Sequence, residues 1–199
     1  MSSSGAGRID RPRIEAAIRE VLAAIGEDPS RAGLARTPER VAEMYAEFFS
    51  GIGVDTDGLV ATSALADEDG ELVVIRDIEF RSVCEHHLLP FIGVASVAYM
   101  PGHRVVGLGT IAKVVETVAS RPQLQERLTE QVADALQSGL EPVGLLVVLD
   151  AVHGCVTSRG ARQPRSSTLT IASRGILSEP AARAEAVAMI GYRHGEAPA

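Results

Sequence analysis

Residues 143–152, Val-Gly-Leu-Leu-Val-Val-Leu-Asp-Ala-Val, carry a single charged side chain in ten positions. An apolar run of that length, rich in β-branched residues, reads as a well-buried strand, and the remaining elements must be arranged around it. Thr168–Ala172 reads as a second strand downstream. Upstream, Leu72–Ile75 and Ile78–Phe80 read as strand. Phe91–Met100 is β-rich and is followed by Pro101-Gly102 and Val105-Val106, which predicts a hairpin across that turn. Between the two strand pairs lie two helical stripes. One runs from Thr110 through Ile111, Val114, Val115 and Val118. The other restarts at Pro122 and places Leu124, Leu128, Val132, Ala135 and Leu136 on one face, closing at Gly139.

The N-terminal part has a different texture. Asp10 can cap a helix with Pro12 in its first turn, and Ile14, Ile18, Val21, Leu22 and Ile25 follow at helical spacing to a stop near Gly26. Thr37-Pro38 predicts a second start, with Thr37 as cap and Pro38 as first helical residue. Val41, Met44, Tyr45, Phe48 and Phe49 form its stripe, which ends at Ser50-Gly51. Residues 51–70 show little periodicity and read as linker or surface loop. A final helix is expected over Glu179–Ile190. The order is αα, ββ, αα, ββ, α, an α+β protein. The expected division is a disordered N-terminus over 1–9, a helical hairpin and linker over 10–70, and the main domain over 71–199.

Charge and composition exclude several roles. The 199 residues carry a net charge of −7, which disfavours general binding to nucleic acid or anionic membrane. No run of about 18 apolar residues offers a membrane span. The stretch MSSSGAGRIDRPR lacks the apolar core of a secretory leader, so a cytoplasmic location is expected. Two cysteines make no disulfide framework and are of more interest as ligands or nucleophiles.

Both cysteines lie beside histidines, in Cys84-Glu85-His86-His87 and His153-Gly154-Cys155. In extended chain His153 and Cys155 would point to the same side. Cys84 and His87, three apart, suit a turn. Zinc takes thiolate and imidazole in a tetrahedral array, and its catalytic sites keep one position open. Cys84, His87 and Cys155 make such a three-ligand set. His86 and His153 would flank the open position, able to move protons while the metal acidifies water. A closed structural site with His153 as fourth ligand, or two unrelated buried cysteines, are the competing readings. His103 and His194 read as solvated. Arg40, Lys113, Arg159, Arg162 and Arg165 could serve an anionic ligand, since guanidinium forks suit phosphate oxygens; the alternative is a solvated basic loop. Gln125 and Glu126 fall off the apolar stripe. A carboxylate there could accept two N–H bonds from a guanine edge, or simply be solvated.

At these residues the sequence resembles the GTP cyclohydrolase I family. The matching segments are SVCEHHLLPFIGVASVAYMP (82–101), RPQLQERLTEQVADAL (121–136) and DAVHGCVTSRG (150–160), with TPERVAEMY (37–45) upstream. The resemblance implies the tunnelling fold: a ββααββ unit whose antiparallel sheet carries helices on one side. It implies a homo-oligomer, a decamer of two stacked pentamers with active sites between subunits. It implies conversion of GTP and water to 7,8-dihydroneopterin triphosphate and formate, in pterin and tetrahydrofolate biosynthesis. By this resemblance Cys84, His87 and Cys155 would hold Zn2+, and His86 and His153 would be the acid/base pair. Gln125 and Glu126 would hold guanine, while Arg159, with Arg40 from a neighbouring subunit, would meet the triphosphate, where Lys113 could add a further charge. One departure stands out. Gly107-Leu108-Gly109-Thr110 replaces the family's usual Gly-Leu-Ser-Lys, and Lys113 stands where an Arg is usual. The missing hydroxyl and ammonium admit a second reading, a paralogue acting on a different purine nucleotide or nucleoside. A third is a zinc-stabilised oligomeric binding protein without activity.

Overall fold

A computed structural model describes residues 9–66 and 70–191. His194 and most of the segment expected to be disordered lie outside them. The chain forms two compact units that divide between Val54 and Asp55.

The first unit is a pair of helices. Helix α1 spans Arg11–Ala24, and the Asp10 carboxylate accepts from the Arg13 N–H as expected of its cap. Helix α2 spans Thr37–Phe48. Thr37 lies inside it rather than capping it. Arg36 occupies the cap position and makes no side-chain cap bond; its guanidinium instead reaches forward to Glu39.

The second unit begins in the stretch read as linker. Asp55 caps a short helix α3, Thr56–Ala61, and β1 follows at Ala64–Ala66. Strand β2, Val73–Cys84, is one strand rather than two. A bulge between Ile75 and Ile78 shifts its register and places Asp77 at φ 56°. That extra residue keeps Ile75 and Ile78 on the same face. Then come β3 (Pro90–Met100), β4 (Arg104–Val106), α4 (Leu108–Ala119), β5 (Pro122–Gln123) and α5 (Gln125–Leu140). Strand β6 covers Gly144–His153, the one-turn α6 Gly154–Thr157, β7 Thr168–Gly175 and α7 Pro180–Gly191.

The main sheet has the order β5-β2-β3-β6-β7, antiparallel except for the short parallel pair of β2 and β5. This is the α+β, ββααββ arrangement the sequence led us to expect. The run 144–153 is central, between β3 and β7. The hairpin expected across Pro101-Gly102 does not form. Strand β3 already has β2 and β6 as neighbours, so β4 pairs with β1 in a separate two-stranded sheet.

Helices α4 and α5 cover one face. Ile111, Val114, Val115, Val118, Leu128, Val132 and Leu136 pack on Phe91, Ala95, Val97, Tyr99, Leu145, Val147 and Leu149, and all are buried. This continuous apolar layer is the main stabilising term. Gly139 does not end α5, which runs to Leu140 and stops at Glu141 in left-handed conformation. The glycine admits fully buried Val60 of α3, whose Cβ lies 2.4 Å from where a Cβ at 139 would stand. After the ββααββ unit, Leu177 and α7 through Ala186 cover part of the opposite face, at Ala98 and Leu146. Farther along that face, among the described residues, Ile92 and Leu169 are 62% and 61% exposed.

Candidate metal centre and active site

The end of β2 and the start of β3 build a tight loop. The Cys84 N–H donates to the Leu89 carbonyl at 2.9 Å, and the Leu88 N–H returns to the Cys84 carbonyl at 2.8 Å. Closing it puts Leu88 at φ 52°, a conformation costing a non-glycine residue on the order of 1–2 kcal/mol. The same closure carries the His87 Nδ1 to 4.0 Å from the Cys84 sulfur. His86 points elsewhere, its ring edge-on to His87 with centroids 6.2 Å apart.

Cys155 arrives from the other side. Same-side projection along an extended strand does not describe it, because β6 ends at His153 and Cys155 sits on the helical turn α6. Gly154 makes that turn possible: a Cβ there would lie 2.8 Å from the Pro90 carbonyl oxygen. The turn leaves the Cys155 sulfur 4.0 Å from that of Cys84. Cys84, His87 and Cys155 offer three ligand atoms all within 4.8 Å of one another. A tetrahedral ion with zinc–sulfur distances of about 2.3 Å needs its sulfurs about 3.8 Å apart, so the set fits zinc. Neither His86 nor His153 joins this group among the described residues. Burial first, and the adjoining Cys84 sulfur second, push the Cys155 thiol above its ordinary range, while Arg159 pulls it down.

His153 ends β6 directly opposite Phe91 of β3. The two rings stack with centroids 4.6 Å apart and planes 6° apart. Burial lowers the His153 pKa, and the Glu126 charge opposes that shift. Its Nε2 lies 2.7 Å from the Gln125 Oε1. Gln125 is 1% exposed. Its amide nitrogen reaches the Leu149 carbonyl at 3.1 Å, the Thr168 carbonyl at 2.8 Å and the Thr170 hydroxyl at 3.1 Å. Glu126, the next residue, is exposed.

Several contacts here had no signal in the sequence. Glu85 is tied to the first turn of α5 by an ion pair with Arg127, and its N–H donates to the Gln123 carbonyl at 3.0 Å. Arg127 also donates to the Gln123 side chain, and the Ser82 hydroxyl donates to the Ala119 carbonyl at 2.7 Å. The Glu85 and Arg127 bonds fasten the loop after Cys84 to the start of α5, which carries Gln125 and Glu126, while the Ser82 bond ties β2 to the end of α4.

The remaining candidates are spread out. Lys113 is exposed on α4 and, with Gly109, lines a cavity of about 600 Å³ bounded also by Glu79, Arg81 and Ile92. A Cβ at Gly109 would meet nothing within 4 Å. Arg159, Arg162 and Arg165 lie exposed in the loop after α6, with Gly160 and Arg162 at positive φ. Arg40 is exposed on α2, in the first unit, and His103 is exposed before β4. No helix among the described residues is long and apolar enough to cross a membrane.

The sequence profile of the GTP cyclohydrolase I family matches residues 14–191. A GTP cyclohydrolase 1 of Leifsonia xyli is 60% identical over 183 residues, spanning 92% of this chain and 96% of that one. One from Carboxydothermus hydrogenoformans is 51% identical over 187 residues, 93% and 97% of the two chains. One from Caldanaerobacter subterraneus is 49% identical over 187 residues, 93% and 99%. With a family profile matching nearly the whole chain and relatives up to 60% identical along almost their full length, all of them enzymes of the hydrolase class, the chain belongs to the GTP cyclohydrolase I family.

Proposed function

We propose that this chain hydrolyses GTP to 7,8-dihydroneopterin triphosphate and formate, in pterin and tetrahydrofolate biosynthesis, with zinc held by Cys84, His87 and Cys155. The observation that carries the reading is the convergence of those three ligand atoms with two histidines left outside the set. What zinc supplies when bound is Lewis acidity toward water. The rest is done by the chain. The Glu126 carboxylate accepts from the N–H groups of the guanine edge, and Gln125 belongs to the same turn. His86 and His153 exchange protons with the purine as its imidazole ring opens and C8 leaves as formate, His153 at N7. Arg159 and Lys113 meet the triphosphate, with Arg40 supplied by a neighbouring subunit.

The protein works as a homo-oligomer, a decamer of two pentamers with sites between subunits, in the cytoplasm. Supporting assembly, the sheet face away from α4 and α5 leaves Ile92, Val152, Leu169 and Ile171 exposed, and β7 is a sheet edge.

The test is product analysis. Zinc-loaded protein incubated with GTP should release formate and yield a pterin that fluoresces after oxidation. Absence of both, with one zinc bound per chain, would overturn the proposal. A second reading, another purine nucleotide or nucleoside as substrate, is favoured by Gly109, which leaves open space beside Lys113. Faster ring opening of GMP or guanosine than of GTP would establish it.

A further inference from the structure

We infer that Gln125 is a positioning residue for His153: it fixes the imidazole with hydrogen on Nε2, so that Nδ1 is the nitrogen that exchanges a proton with the substrate. The role assigned to His153 rests on the function proposed above; the tautomer itself rests on geometry alone.

The argument starts from what surrounds the Gln125 amide. Two of its neighbours, the Leu149 and Thr168 carbonyl oxygens, can only accept hydrogen bonds. The end of the amide facing them is therefore the NH2 group. Turning it over would set an amide oxygen against two carbonyl oxygens at about hydrogen-bond distance, an arrangement of like dipoles without a proton between them. With the nitrogen so placed, the opposite end is Oε1, which can only accept. It lies 2.7 Å from the His153 Nε2. That nitrogen must carry a hydrogen and donate it. A neutral imidazole has one N–H, so its lone pair is on Nδ1.

The same bond persists when the ring is charged. The imidazolium carries hydrogen on both nitrogens; giving the Nδ1 proton to the substrate leaves the neutral Nε2–H form, and taking a proton back restores the cation. The Nε2 hydrogen stays with Gln125 throughout. Phe91 confines the ring to one plane, but stacking alone cannot tell the ring from its flipped form. Flipping would set a carbon-bound hydrogen against the amide oxygen, so it is Gln125 that selects the orientation. The amide is itself held from several sides. The Thr170 hydroxyl that meets the amide nitrogen lies 2.6 Å from the Thr129 hydroxyl, which itself donates to the Gln125 main-chain carbonyl at 2.8 Å. With every polar atom of its side chain engaged and 1% exposure, Gln125 acts on the purine through His153 and not by touching it.

The full-length protein labelled with 15N in the histidine rings tests this by solid-state NMR at alkaline pH. The His153 signals are identified by their loss in His153→Asn. The expected result is a protonated nitrogen coupled to Cδ2, which is Nε2, and an unprotonated Nδ1. In Gln125→Met, similar in length but without an acceptor, the Nδ1–H form should become populated. With GTP as substrate, kcat of Gln125→Met should fall on the order of 100-fold while KM stays within about threefold. A wild-type His153 protonated at Nδ1, a tautomer unmoved by the substitution, or a raised KM at unchanged kcat would each overturn the inference. The wild-type spectrum decides even if the variant does not fold. If GTP is not turned over, the spectra still report the tautomer, so the two failures are separable.

Discussion

The sulfurs of Cys84 and Cys155, 71 positions apart in the chain, lie 4.0 Å from each other. Two thiols at that separation beside an imidazole can form the edge of a metal site, and no such edge exists in the unfolded chain. Zinc uptake should therefore stabilise the fold, with a Tm that rises as free zinc rises. Metal analysis should return one zinc per chain. Cys155→Ala should fall to less than a tenth of that occupancy. His153→Ala should keep full occupancy, because its Nε2 is held by Gln125 outside the ligand group. Loss of zinc in His153→Ala would mean that four protein ligands close the shell, and the hydrolytic proposal would go with it.

Metal uptake should also release protons. Burial and the neighbouring sulfur hold the Cys155 thiol above its ordinary range, so near neutral pH it is protonated without metal. To ligate, it must lose that proton. The sign follows directly: acid competes with zinc, and raising the pH strengthens binding, by about tenfold per pH unit for each proton displaced. Titration calorimetry of zinc into the metal-free protein, repeated in buffers of different ionisation enthalpy, should show at least one proton released per ion. A binding constant flat between pH 6 and 8 would contradict it.

The two helices that cover the sheet were legible because each has a local cause. The stripe Leu128, Val132, Ala135, Leu136 is a helical face whatever surrounds it, and the structure buries all four. The ligand set was legible because both cysteines sit beside histidines. What stayed hidden depends on partners distant in sequence. Strand β4 pairs with Ala64–Ala66, three small or apolar residues with no strand signature. The turn that aims Cys155 is set by the Pro90 carbonyl packed on Gly154. The Phe91–His153 stack needs the register of β3 against β6, which no local pattern encodes. The resemblance gave Gln125 to guanine, and its polar, off-stripe position fitted either a ligand or solvent; its burial was not legible because its three β-strand partners lie at least 24 residues away.

Gly139 offers a test of packing remote from the metal. A Cβ there would meet Val60 Cβ and Cγ1 at 2.4 Å, both buried and with the Ala61 backbone behind them. Gly139→Ala gains helix propensity of at most about 1 kcal/mol but overpacks the α3–α5 contact, which costs about 1–3 kcal/mol. The clash should win, with Tm lowered by several degrees and zinc occupancy unchanged. Val60→Ala destabilises on its own by leaving a cavity, but in the Gly139→Ala background it should cost less, because it removes the Cγ1 part of the clash and leaves only the Cβ contact to be relieved. The double-mutant cycle should give a favourable coupling of about 0.5–3 kcal/mol. Simple additivity would show that the two residues do not meet.

Gly109 tests whether phosphate recognition has been altered at the start of α4. With nothing within 4 Å of its missing Cβ, Gly109→Ser needs no rearrangement, and replacing glycine within the helix should leave stability unchanged or raised by a few tenths of a kcal/mol. Combined with Thr110→Lys, it restores the Ser-Lys pair usual in the family beside Lys113 and the cavity it lines. One charge-assisted hydrogen bond to phosphate is worth about 1.5–3 kcal/mol. If GTP is the substrate and its phosphates lie there, KM for GTP should fall about 10- to 100-fold while kcat moves little, and guanosine should gain nothing. An equal change for GTP and guanosine would place the phosphates elsewhere. A loss of activity on the native purine, with GTP unimproved, would instead favour the reading in which Gly109-Thr110 makes room for a different ribose or phosphate group.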